Sequence, residues 1–319
     1  MQRPRAWELE DPKRYQAAHL ALVDFWAGSV DVVLTYRGRA DRYQDEFPNI
    51  LFMCADMSFG KLHLCTETEV LIYDYPSMTF EASVSLPSFQ NVHCAKRISC
   101  EELYVASTGL DMVVKVDVYT GTAVEHINVL GKDPWHRFSP VRDYRKVHST
   151  KPHESHPNFL FEVNGRLYVT RFYQRDAVCI NDMSEAIKIG GSAGIHDGVW
   201  ADGVLYFTSV DGKVWKVDAR SLRVFDVVDL NQIEGTSGPL GWCRGILVDG
   251  DIAYVGFTRL RKTTILENVR WAARRIGLPS HPRTRVVAYD LRRKVKLGEV
   301  VMPPGTVDAI YSLLDAGPG

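Results

Sequence analysis

No stretch of about 18 apolar residues occurs in the 319-residue chain, so no segment is built to cross a membrane as a helix. The first residues, Met1-Gln2-Arg3-Pro4-Arg5-Ala6-Trp7-Glu8, lack the apolar core of a signal peptide, and a soluble cytoplasmic protein without a membrane partner is expected. An excess of one charge is missing too. The 38 basic and 39 acidic residues leave a net charge of −1, which argues against nucleic acid as a partner. There is no CxxC pair, and Cys54, Cys65, Cys94, Cys100, Cys179 and Cys243 fall mostly in predicted strands. Buried thiols are therefore expected rather than disulfides or a zinc knot. Without a P-loop or a GxGxxG after a strand, no nucleotide cofactor is expected. Without GxSxG, a serine-hydrolase elbow is not expected. Gly190-Gly191-Ser192-Ala193-Gly194 is glycine-rich, but it falls between an outer and an inner strand and reads as a rim loop.

What the chain does have is one phrase spoken about five times. A short strand is followed by a second that closes on Asp or Asn: Leu62 to Asp74, Leu103 to Asp117, Leu167 to Asn181, Leu205 to Asp218, and Ile252 to Asp290. A period near 40 built from short alternating strands is the pattern of a β-propeller. With 45% hydrophobic residues the chain can close one large core, and residues 1–319 are read as a single all-β domain. The residues around 307–314 supply one more inner strand, which strands such as 30–36 would complete. That makes a six-bladed β-propeller closed by both chain ends, with five blades as the alternative. Residues 12–26 read as an N-terminal helix outside the ring, within an extension covering 1–28.

Two intervals are too long for the period, and they mark insertions at 131–155 and 258–284. The chain runs up and down through each blade from the axis outward. Loops entering an inner strand and loops joining strands two and three therefore share one face. The first insertion is of the former kind and the second of the latter, so both are expected over one mouth of the central channel. Residues 264–276 read as an amphipathic helix within the second.

The residues that introduce the inner strands face the axis at that mouth. They include His93, His156 with Asn158, His196 with Asp197, Trp242 with Arg244, and Asp308. Imidazoles converging with carboxylates suit a divalent metal, for which His93, His156 and His196 are the candidate ligands. Without a metal, the same three histidines with Asp197 and Asp308 suit acid–base catalysis. A polar plug that satisfies itself and ordered water is the plainer alternative. Arg244 is the natural anchor for a carboxylate or phosphate, unless it is a salt-bridge strut to Asp197 or Asp308. Asn158, Trp242, Arg171 and Tyr173 complete the candidate substrate-binding set. Between Arg259 and Lys296 twelve Lys or Arg face two acids, a rim that would draw a small anionic molecule or an acidic partner. The alternative there is a solvated helix and edge strand.

Three phrases carry a resemblance. They are His156-Pro157-Asn158 leading to Asn164-Gly165-Arg166-Leu167-Tyr168, Ile195-His196-Asp197-Gly198 leading to Asp202-Gly203-Val204-Leu205-Tyr206, and Trp242-Cys243-Arg244-Gly245 leading to Ala253-Tyr254-Val255-Gly256. Over roughly residues 150–315 the chain resembles an uncharacterised bacterial β-propeller family, a domain of unknown function. The general shape is similar to gluconolactonase-like and strictosidine-synthase-like six-bladed propellers. Those lactonases hold calcium with Glu, Asn and Asp where this chain carries His and Arg, so their activity is not carried over. Two functions follow as expectations. One is a hydrolase, lyase or isomerase acting in the channel on a small polar, anionic metabolite. The other is a non-catalytic scaffold that binds a protein or glycan through its basic face.

Overall fold

The computed structural model describes residues 15–43, 48–236, 239–259 and 283–317. A hairpin comes first, β1 (Ala18–Asp24) with β2 (Ser29–Tyr36). Five four-stranded antiparallel blades follow. Blade 1 is β3 (Cys54–Ser58), β4 (Lys61–Cys65), β5 (Val70–Asp74) and β6 (Phe80–Val84). Blade 2 is β7 (Val92–Arg97), β8 (Glu102–Ser107), β9 (Met112–Asp117) and β10 (Thr122–Asn128). Blade 3 is β11 (Pro157–Val163), β12 (Arg166–Arg171), β13 (Asp176–Cys179) and β14 (Ala186–Lys188). Blade 4 is β15 (Ile195–Ala201), β16 (Val204–Ser209), β17 (Lys213–Asp218) and β18 (Arg223–Asp229). Blade 5 is β19 (Trp242–Asp249), β20 (Ile252–Thr258), β21 (Arg285–Asp290) and β22 (Val295–Val301).

The repeated phrase is thus the second and third strands of a blade, and its closing Asp is a turn cap. Asp117 Oδ1 accepts from Thr120 N at 2.8 Å, Asp218 Oδ1 from Ser221 N at 2.7 Å, and Asp290 Oδ1 from Arg293 N at 2.7 Å. At the end of the ring where the first two strands join, Asn164 and Gly165 take φ of 53° and 69°, the left-handed pair a two-residue hairpin turn needs. Apolar side chains alternate into the seams between blades. Val105, Val114 and Val169 pack one cluster across blades 1 to 3, Phe161 and Phe207 another between blades 3 and 4, and Val255 with Tyr289 a third in blade 5.

Two expectations are corrected. Residues 18–24 are a strand, not part of an N-terminal helix, while residues 12–14 lie outside the described residues. Leu20 and Val23 sit at helical spacing, but the β-branched run Val30, Val32 and Val33 gives the segment a cross-strand partner, and pairing wins. Among the described residues five blades form rather than six. Residues 307–314 join no ladder. Thr258 Oγ1 and Thr284 Oγ1 hold them instead, donating to the carbonyls of Ile310 at 3.1 Å and Asp308 at 2.7 Å. The hairpin fills the remaining gap by packing Val23 and Val30 against blade 5 and Leu20 and Leu34 against blade 1. Among the described residues, no helix is long and apolar enough to cross a membrane. All six cysteines are free thiols, five of them buried and Cys100 exposed.

Candidate functional site

Four consecutive inner strands share a local irregularity. The register of β7, β11, β15 and β19 slips near the strand start, at Val92/Cys94, Pro157/Leu160, Asp197/Val199 and Cys243/Ile246. A bulge at such a place re-aims a side chain without ending the strand. His93, His196, Asp197 and Arg244 all sit in or beside these slips, and His156 immediately precedes β11 with φ of 62°.

The result is a packed ring of imidazoles. His93 meets His156 edge to face at 4.8 Å between centroids, and His153 stacks on His156 at 5.0 Å. Phe172 lies between His156 and His196, at 5.3 and 5.4 Å, while the half-exposed Tyr173 touches His156 at 6.0 Å. His153 Nδ1 and His156 Nδ1 are 2.8 Å apart, so one ring carries its proton on Nδ1 and the other on Nε2. His93 Nδ1 is 2.9 Å from the Asn91 carbonyl and donates to it. Both ring nitrogens of His196 are buried without a hydrogen-bond partner among the described residues.

Burial, first of all, pushes the pKa values of His93, His156 and His196 well below the ordinary imidazole value, and the Arg244 guanidinium pushes each further. Burial also lowers His153, to about 4. These rings are neutral at pH 7. Burial raises Asp197 to about 6, against hydrogen bonds from Thr208 Oγ1 and Gly245 N and the charge of Arg244. Arg244 itself is only 6% exposed, and burial lowers its pKa. Its guanidinium stacks 4.9 Å over the Tyr311 ring. Among the described residues its one hydrogen-bond acceptor is the Met53 carbonyl, 3.2 Å away across the seam between blade 5 and blade 1.

Not every expected residue belongs to this ring. Asp308 is exposed and caps the turn before it, Oδ1 accepting from Gly305 N at 3.2 Å. Arg171 is a strut rather than a pocket wall: its Nε and Nη2 donate to Asp176 at 2.8 and 2.7 Å, and its Nη1 to the Val129 carbonyl at 2.9 Å. Asn158 lies in the seam between blades 3 and 4, where Nδ2 donates to the Ile195 carbonyl at 3.0 Å. Trp242 begins β19 and is exposed. Among the described residues, no three His, Cys, Asp or Glu side chains gather at metal-ligand spacing. With Nδ1 of His93, His153 and His156 already engaged, the described residues as placed do not build a metal centre.

Residues 131–155 are tied to a turn of blade 2. Asp111, in the turn joining strands two and three of blade 2, is 1% exposed and accepts from three successive backbone N–H groups of the loop. They are Glu154 N at 2.8 Å, Ser155 N at 2.9 Å and His156 N at 2.8 Å, and Arg137 Nη1 adds a fourth contact at 3.0 Å. The inserted segment is therefore pinned, and Asp111 fixes the loop that carries His153 and His156. Residues 260–282, with the expected second helix, lie outside the described residues. The described flank of that basic run is largely paired. Arg285 is buried against Glu299 at 3.3 Å, and Lys296 meets the same carboxylate at 2.7 Å.

Sequence reasoning missed Asp111 and undervalued Phe172. The latter explains the glycine-rich loop, because a Cβ on Gly194 would come within 2.2 Å of the Phe172 ring. Gly194→Ala should displace that ring and cost about 1–3 kcal/mol, measurable by urea unfolding. An unchanged midpoint would mean that Phe172 moves freely. A cavity of about 140 Å³ lies elsewhere, between β1, blade 1 and residues 306–313, and is lined by none of His93, His153, His156 and His196.

No family model and no curated protein matches the sequence. Among solved structures, a protein of unknown function from Bacteroides caccae is similar at a TM-score of 0.55 and 10% identity, over 88% of this chain and 89% of that one. A chain of a mitotic checkpoint complex is similar at 0.46 and 12% identity, over 81% of this chain and 64% of that one. At such identities the likeness speaks for the fold alone, and the first of the two supports a β-propeller similar to one whose own function is unknown.

Proposed function

We propose that the protein binds a small polar, anionic molecule at the lidded end of the propeller and acts on it by acid–base chemistry, as a hydrolase, lyase or isomerase. One observation carries this reading: the Arg244 guanidinium is set among three imidazoles that their burial, and then its charge, keep neutral. A carboxylate or phosphate would pair with the planar fork and offset the buried charge. Its arrival would also offset the Arg244 share of what makes these imidazoles poor bases, while burial, the larger cause, remains. A neutral ring such as His196 could then take a proton from the bound molecule or from water. The likeness to uncharacterised bacterial propellers, and a cytoplasmic setting, belong to the same proposal; six free thiols suit a reducing compartment.

The scaffold reading has one observation in its favour. His93, His196 and Arg244 are only 4%, 3% and 6% exposed, so a ligand must open the mouth to reach them. Thermal unfolding against a panel of small carboxylates and phosphates separates the two. A bound probe at a hundred times its Kd should stabilise the chain by about 2.7 kcal/mol. Arg244→Lys, which keeps the charge but not the fork, should lose most of that shift. Arg244→Ala is the poorer test, because losing the Met53 bond and the Tyr311 stack should itself cost about 1–3 kcal/mol. If no probe shifts the transition, or if Arg244→Lys responds like the wild type, the enzyme reading fails.

A further inference from the structure

Two neighbouring blades leave buried polar atoms without partners at their shared seam. Asn158, on β11, is 2% exposed, and His196, on β15, is 3% exposed. The Asn158 amide is oriented by its own hydrogen bond, since only Nδ2 can donate to the Ile195 carbonyl. Its Oδ1 is therefore an acceptor, and among the described residues nothing donates to it. That bond also lays the amide against the residue that leads into His196, both of whose ring nitrogens lack partners among the described residues. Buried polar atoms are seldom left unpaired, and their usual missing partner is ordered water or a ligand. A neutral imidazole offers one donor and one acceptor, and Asn158 Oδ1 offers an acceptor. The complement of this seam is a group that both donates and accepts, which is what a hydroxyl does.

Resting on the reading of Arg244 as an anion anchor, we propose that the ligand is a small hydroxy acid. Its carboxylate lies on the Arg244 fork, and its hydroxyl donates to Asn158 Oδ1 while accepting from the His196 ring N–H. This assigns Asn158 and His196 to specificity. A buried site built to hydrogen-bond a hydroxyl rejects the analogue that lacks it far more strongly than an apolar pocket rejects a missing methylene, because its own polar atoms are then stranded.

The test is isothermal titration of the full chain with matched pairs: lactate against propionate, and glycolate against acetate. The hydroxy acid of each pair should bind at least tenfold more tightly. In Asn158→Leu and, separately, in His196→Gln the ratio should fall toward unity while the deoxy acid keeps its affinity. Should Asn158→Leu fail to fold, the wild-type ratios and His196→Gln decide. Lactate and propionate binding within twofold of each other would overturn the hydroxyl assignment, with water filling the seam, and would leave the anion site standing. Failure of all four acids and of inorganic phosphate to bind would overturn both.

Discussion

Asp111→Ala is expected to lose about 3–5 kcal/mol of stability, the scale of removing one partner from a buried charged network. The substitution strands three consecutive backbone N–H groups, at Glu154, Ser155 and His156, and leaves Arg137 facing a void. It also frees the loop holding His153 and His156, so limited proteolysis should begin within residues 131–155. Asp111→Asn keeps the shape but turns an NH₂ toward donors, and should recover only part of the loss. Urea unfolding decides the matter. A cost below about 1 kcal/mol, with the loop still protected, would show that the neighbouring Thr150 contacts to Gln90 and Gly109 hold the segment without Asp111.

Mild acid should unfold the protein steeply. His93, His153, His156 and His196 all have folded pKa values below the unfolded value near 6.5, so below that pH the unfolded chain binds protons that the folded chain refuses. Their stabilisation is complete above about pH 6.5 and is lost as pH falls, for His153 down to about 4. Asp197 works the other way. Its folded pKa, raised to about 6, lets the native state take a proton first, which offsets roughly one histidine on the way down. The ring's share is roughly three protons, or about 4 kcal/mol per pH unit below pH 6, and burial adds His63 and His126 on the same side and Glu69 on the other. Chemical unfolding at pH 7, 6 and 5 measures the slope. A slope worth less than one proton would mean that the ring is hydrated and already titrating.

The propeller was legible because its repeat is local: strand, hairpin turn and capping Asp fall at fixed offsets, and alternation marks the buried side. The convergence of His93, His156, His196 and Arg244 was legible for the same reason, since position within a repeat predicts position around an axis. The failures are all non-local. The segment around Leu20 and Val23 carries helical spacing, and only the distant valines of β2 decide for a strand. Residues 307–314 read as an inner strand because of their alternation, yet their hydrogen-bond partners are side chains on blade 5. Arg171 and Asp308 stand at places that suit a site, but Arg171 is drawn into the blade by Asp176 and Asp308 into a turn by Gly305. Asp111 gave no signal at all. Its role depends on a loop some forty residues onward that returns to its carboxylate, at sequence separations of 43 to 45.

The central claim, that buried neutral imidazoles lie close to the Arg244 guanidinium and respond when an anion pairs with it, is tested most directly by following the histidine ε1 protons by NMR from pH 5 upward, with and without saturating lactate. The account predicts that His93, His156 and His196 stay neutral down to at least pH 6 in the free protein. At least one of them should titrate higher once the carboxylate offsets Arg244, and Arg244→Lys should weaken that response. Titration of all three near 6.5 in the free protein, unmoved by lactate or by the other small anions, would contradict it.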